Sequence, residues 1–208
     1  MKKCCLFISG SGSNAYYITN QIKKLSLDVE INIVIANKKC KGLDIMKECG
    51  IETKCVRFIK PANYRLSSPL YKQRERDYYE DLLYTEIKDR NIDFIYCLGW
   101  NHILGSVFID KCSSNNIMIY NLHPALHNDL IGLNCIQKAY DEYLEGKRLI
   151  TGCIIHNLIA EVDKGMLISS KSLNIHDCLS YKDYIMKMDI IEKRVVLDGL
   201  IKIINSYV

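Results

Sequence analysis

The stretch Cys4–Asn14, "CCLFISGSGSN", decides the fold class. A short apolar run, Cys4–Ser9, follows a charged start and ends in a Gly/Ser turn. Beyond it, Ala15–Leu25 carries Ile18, Ile22 and Leu25 at helical spacing. Strand, glycine turn and helix in that order open an α/β sheet. Moving outward, Glu30–Ala36 ("EINIVIA") reads as a second strand rich in β-branched residues. Lys41–Cys49 reads as a helix with Gly50 as its C-cap. Thr53–Phe58 is a third strand, and Lys60–Leu70, with Pro61 and Pro69, a loop. Tyr71–Arg90 has the helical period, with Tyr78, Leu82, Leu83 and Ile87 on one face. Asp93–Leu98 is the fourth strand, Leu104–Cys112 a short helix, Ile117–Tyr120 the fifth strand, and Asn134–Leu144 a helix ending near Gly146.

The rhythm then changes. Gly152–Leu158 and Met166–Leu173 are two apolar runs joined by "IAEVDKG", which reads as a hairpin. Tyr181–Ile204 is a long final helix. The expected fold is α/β: a Rossmann-like, mostly parallel sheet with helices on both faces, a late antiparallel hairpin and a long C-terminal helix. Such sheets bind ligands at the carboxyl ends of their strands. No repeat, low-complexity segment or linker divides the chain, so residues 1–208 are expected to form a single domain.

Composition narrows the function classes. The net charge of +4 is too modest to suggest nucleic acid. Ten cysteines are many for 208 residues, but they form no CxxC pair, so a structural zinc site has no support. Most lie in apolar runs, such as Cys97 in "FIYCLGW" and Cys153 in "TGCIIH", where free cysteine acts as a small core residue. Cys4–Ser9 is short and runs into glycines rather than a cleavage site, so no secretory signal is expected. We expect a reducing, cytoplasmic setting. No apolar run is long enough for a membrane span.

Three places carry candidate chemistry. Gly10–Asn14 joins flexible backbone to a helix N-terminus, which suits an anion. It lacks the lysine of a P-loop, and Tyr16 stands where a dinucleotide fingerprint needs its third glycine. A small phosphate monoester fits better than a nucleotide; the plainer reading is a tight turn. In "IYNLHPALHND", Asn121 and His123 sit at i and i+2 on a strand end and point to one side. Asn121 offers an amide donor for an oxyanion, and His123 an acid/base group near neutral pH. The plainer reading is a polar cap on the strand. Asp163, in "AEVDKG", is a turn-former or a carboxylate that orients a histidine. His156 reads as structural or supporting, His102 as a loop residue facing a ligand, and His127 and His176 as exposed. Scattered histidines argue against a metal site.

Together these motifs resemble the folate-dependent formyltransferases, in particular the phosphoribosylglycinamide formyltransferase branch. The resemblance runs from about Lys3 to Ile204. It rests on "ISGSGSN" after the first strand, "LGWNHIL" after the fourth, "NLHPAL" after the fifth and "TGCIIHNLIAEVDKG" in the hairpin. "NLHPAL" with "EVDKG" marks folate-dependent formyltransferases broadly, and "GSGSN" favours the glycinamide ribonucleotide branch.

The resemblance implies an enzyme that moves a formyl group from 10-formyltetrahydrofolate, as co-substrate, to the amine of glycinamide ribonucleotide, without a metal. It implies Asn121 as the formyl-oxygen donor, His123 as the catalytic histidine and Asp163 as the aspartate that tunes it. Gly12, Ser13 and Asn14 match the phosphate-binding turn, Glu192 the ribose contact, and Asp189, one turn earlier, is a weaker match. For folate, Arg76, Asn101, His102, Ile103 and Leu104 match the pterin-side positions, and Asn121 also faces that substrate. Ile159, Ala160, Glu161, Val162 and Asp163 match the folate-binding loop. Without the resemblance, Arg76 and Glu192 read as solvated helix charges.

Two departures stand out. Relatives usually have a proline soon after "HPxL", whereas "HNDLIG" has none before Gly132. Many have Met-Arg where this chain has Asn101 and His102. The expected partners are small molecules, with no nucleic acid and no membrane, in a monomer or homodimer. The alternatives are a formyltetrahydrofolate hydrolase, a formyltransferase acting on another amine, and a non-catalytic nucleotide-binding module. The hydrolase is expected to carry an extra regulatory domain, and an enzyme acting on charged tRNA an extra C-terminal one. The last alternative leaves Asn121, His123 and Asp163 unexplained.

Overall fold

Seven strands form one sheet in the order β3-β2-β1-β4-β5-β6-β7 in the computed structural model, which describes residues 1–60, 64–159, 161 and 164–206. The sheet is mostly parallel with a late antiparallel hairpin, the class expected from the strand and helix rhythm. The elements fall into two compact units, Met1–Tyr16 with Val29–Ile119, and Tyr17–Asp28 with Tyr120–Val208.

In the first unit, β1 (Lys2–Ile8) runs parallel to β2 (Val29–Ala36) and to β4 (Phe94–Cys97), and β2 runs parallel to β3 (Glu52–Cys55). Residues Cys4–Ile8 are buried on both sides of the strand, which is why they read as a continuous apolar run without alternation. Asp93 ties the start of β1 to that of β4, accepting from Lys3 N at 2.7 Å and Lys2 Nζ at 3.1 Å. After β1 comes α1 (Ser13–Leu25), whose residues from Tyr17 onward belong to the second unit, and after β2 comes α2 (Lys41–Glu48), packed on β2 and β3.

The helix α3 (Pro69–Thr85) begins earlier than its periodicity predicts. Ser68 caps it by accepting from Tyr71 N at 3.2 Å, and Pro69 takes the first helical position, where its missing N–H costs nothing. Its buried face also differs. Tyr79 and Leu83 are buried, as is Ile87 just beyond the end of the helix, whereas Tyr78 is 66% exposed and Leu82 lies partly in solvent. The rotation follows from polar anchors: Tyr79 Oη donates to Val56 O at 3.1 Å, and Glu80 Oε1 accepts from Gly105 N at 2.8 Å. Gly105 is extended (φ −79°, ψ 163°) and stands as the N-cap, so α4 (Ser106–Ser114) starts after the buried Leu104 rather than at it.

In the second unit, β6 (Ile150–Asn157) pairs antiparallel with β5 (Met118–His123) and with β7 (Leu167–Asn174). The strand β5 runs on through Asn121 and His123 instead of ending before them, because β6 supplies ladder partners as far as His123 opposite Ile154. Pro124 then stops it, having no N–H to give. Two helices follow, α5 (Cys135–Leu144) and α6 (Tyr181–Asn205). Ser180 caps α6, accepting from Asp183 N at 3.2 Å. Tyr184, Met188, Ile191, Val195, Leu200 and Ile203 are buried along α6, which packs on β6 and β7. Burying each such side chain is worth about 1.5–3 kcal/mol. Among the described residues no helix is long and apolar enough to cross a membrane.

Candidate active site

The β5–β6 ladder places Asn121 directly opposite His156. His156 is buried, and its Nδ1 lies 2.9 Å from Asn157 O. A carbonyl only accepts, so Nδ1 carries the proton and Nε2 offers a lone pair. Asn121 Nδ2 donates to that lone pair at 3.3 Å. The relay therefore settles which way the Asn121 amide faces. One amide proton is committed to His156 and the other can be donated to a developing oxyanion.

His123 is buried, two residues further along β5. Its Nε2 lies 2.7 Å from Leu130 O, so Nε2 is the protonated nitrogen and Nδ1 bears the lone pair in the neutral ring. The rings of His123 and His156 are perpendicular, 6.3 Å apart. Cys135, at the start of α5, donates its thiol to Gly132 O at 3.1 Å and brings Sγ to 3.8 Å from His123 Nε2. A half-buried donor amide and a buried imidazole on one strand are the parts that acyl-group transfer requires. His127, expected in solvent, is partly buried, with Nε2 3.2 Å from Gly165 O; His176 is exposed as expected.

In the first unit, Gly10–Asn14 follows β1 and opens α1, where Tyr16 N donates to Gly12 O at 2.8 Å. Gly12 has φ +74°, and a Cβ there would lie 2.6 Å from Gly42 Cα. Gly42 N in turn donates to Gly10 O at 3.1 Å. Two glycines thus let the turn and the start of α2 pack backbone to backbone, exposing Ser13 while Asn14 is buried. Nothing in the local sequence singles out Gly42, because the need for it arises only from that approach.

Asn101 is held at the end of β4 by two bonds: its N donates to Ser9 Oγ at 2.9 Å, and its Oδ1 accepts from Asn37 Nδ2 at 2.7 Å. The ends of β1, β2 and β4 are laced together there. His102 stands within an aromatic box of Phe58, Tyr79 and Trp100, with Nε2 3.6 Å from Glu80 Oε1. Ile103 is exposed and Leu104 buried. Arg76 is half-buried on α3 and has no ion-pair partner among the described residues. Trp100 Nε1 and Glu80 Oε2 are buried without a hydrogen-bond partner among the described residues.

On α6, Asp189 pairs with Lys193. Glu192 is half-buried near Cys153 of β6; burial pushes that thiol well up, and the Glu192 carboxylate adds to it. Ile159 and Glu161 are exposed, and Ala160, Val162 and Asp163 lie outside the described residues. Among the described residues there is no group of His, Cys, Asp and Glu suited to a metal ion.

Comparison with known proteins is consistent across sequence and structure. The chain is 34% identical over 174 residues to the phosphoribosylglycinamide formyltransferase of Dictyostelium discoideum, covering 82% of each. It is 32% identical to the Saccharomyces cerevisiae protein of the same name, covering 84% of each. The crystal structure of phosphoribosylglycinamide formyltransferase from Campylobacter jejuni superimposes with a TM-score of 0.78 at 25% identity, over 98% of this chain and 97% of that one. The formyl transferase family model matches residues 2–200, and the chain belongs to that family.

Proposed function

We propose that this protein transfers a formyl group from 10-formyltetrahydrofolate to the amine of N1-(5-phospho-D-ribosyl)glycinamide in de novo purine synthesis. The products are the N2-formyl compound and tetrahydrofolate. The observation that carries this reading is the Asn121–His156–Asn157 relay, which aims an amide donor from the strand that also bears His123. The names of the relatives support the same substrates.

The new C–N bond forms as the glycinamide nitrogen attacks the formyl carbon. Asn121 donates to the oxygen that becomes negative. His123 carries the proton lost by the attacking amine towards the departing folate nitrogen, whose bond to the formyl carbon breaks. Asp163 supports the charged form of His123. Gly12, Ser13 and Asn14 hold the phosphate, and Glu192, with Asp189, the ribose. Arg76, Asn101–Leu104 and the segment from Ile159 to Asp163 hold the folate. Residues 1–208 work as a single formyltransferase domain on small molecules, without metal, nucleic acid or membrane, as a monomer or homodimer in the cytoplasm.

The test incubates the protein with 10-formyltetrahydrofolate, with and without the ribonucleotide, and follows tetrahydrofolate release. Release that requires the ribonucleotide supports transfer. Equal release without it points to a formyltetrahydrofolate hydrolase, and no release to a binding module.

A further inference from the structure

The loop Pro124–Asn134 follows the strand end that bears His123, and it is not stiff by composition. Asn128, Gly132 and Asn134 all have positive φ, at 61°, 81° and 62°, and no proline follows Pro124. Its order must come from bonds to the rest of the second unit, and the strongest of these is an arginine fork. Arg148 lies between α5 and β6. Its Nη1 and Nη2 donate to the two carboxylate oxygens of Asp129 at 2.5 Å and 2.8 Å. Its Nε donates to Glu142 Oε2 at 2.7 Å, and Nη1 also reaches Ile150 O at 3.2 Å. The Arg148 side chain is only 14% exposed, so the fork is shielded and its plane is fixed from both sides.

The residue after Asp129 supplies the carbonyl that accepts from His123 Nε2 at 2.7 Å. A rigid path thus runs from the Arg148 fork through the Asp129 carboxylate and backbone to Leu130 O, and from there to the imidazole. We propose that Arg148 and Asp129 are positioning residues for His123: they hold the Leu130 carbonyl in place, keep the imidazole proton on Nε2 and leave Nδ1 as the basic nitrogen. This rests on the proposed role of His123 as the proton carrier. An orienting partner of this kind sets which nitrogen of a histidine does the chemistry.

The test uses the full chain labelled with 15N-histidine. Two-bond 1H–15N spectra are recorded at a pH where the rings are neutral, and steady-state formyl transfer is measured alongside. In the unsubstituted protein His123 shows the Nε2–H pattern. In Asp129→Asn and Arg148→Gln the signal moves towards a mixture of tautomers, and kcat falls about 10-fold while the KM of each substrate stays within about twofold. Arg148→Lys keeps the charge without the fork and gives an intermediate result. The spectrum of Arg148→Lys judges the proposal even if the other variants fold poorly. A pure Nε2–H pattern with unchanged kcat in all three would overturn it. His123→Ala separates the two ideas: wild-type transfer in that variant would remove the catalytic reading, whereas the tautomer spectra still judge the clamp.

Discussion

Asn121 Nδ2 has two protons, and His156 takes one of them. That allocation fixes the amide, so in the proposed mechanism His156 orients the oxyanion donor without itself facing the substrate. Replacing His156 with Leu leaves the amide free to rotate and removes a buried acceptor, at a cost of about 1–3 kcal/mol. We expect kcat to fall about 10-fold in His156→Leu, with the ribonucleotide KM little changed, as measured by steady-state transfer. A comparable rise in KM at constant kcat would assign His156 to binding instead. The pairing was not legible in the sequence: 35 residues separate the two side chains, and only the β5–β6 register brings them face to face. Asn121 and His123 were legible because two chemically suited side chains share one face of a strand end.

The elements show where reading a sequence reaches its limit. The buried strands of the first unit were legible as unbroken apolar runs, since both of their faces are covered. The face of α3 was not, because Tyr78–Leu82 and Tyr79–Leu83 are adjacent stripes of equal period. The anchors at Val56 and Gly105, far along the chain, decide between them. Gly42 is another case, and it makes a prediction for the turn after β1. A Cβ there would stand 2.9 Å from Gly10 O and 3.0 Å from Gly12 Cα. Gly42→Ala should therefore open the turn and raise the ribonucleotide KM about 10-fold, equivalent to about 1.4 kcal/mol, with the folate KM unchanged. An equal rise in both would show a general loss of structure.

A second prediction at this scale concerns Asp93, which joins β1 to β4. Burial alone would raise its pKa, but the Lys3 N–H and the Lys2 ammonium outweigh that and hold the carboxyl below its usual range. A group with a depressed folded-state pKa adds stability above its unfolded value, about 3.9, and loses it as pH falls through the folded value. Asp93→Asn should cost about 1 kcal/mol at neutral pH, below the usual range for a bond to a charged group because solvent partly screens it. The deficit should shrink as pH falls below about 4. Denaturant unfolding at both pH values checks this, and a deficit that is the same at each would contradict it.

For the whole molecule, an α/β sheet carries its chemistry at strand ends, and here the amide and imidazole of β5 are each fixed by a partner from further along the chain. His156 fixes the first through the β6 ladder, and the Leu130 carbonyl fixes the second. The formyl transferase family match covers residues 2–200, and so includes both units. The sharpest measurement is single-turnover formyl transfer by Asn121→Ala and His123→Ala, each checked for native folding and for binding of both substrates. Loss of the oxyanion donor or of the proton carrier should slow transfer by at least about 10²-fold in either variant. Transfer at close to the wild-type rate by either one would contradict the account.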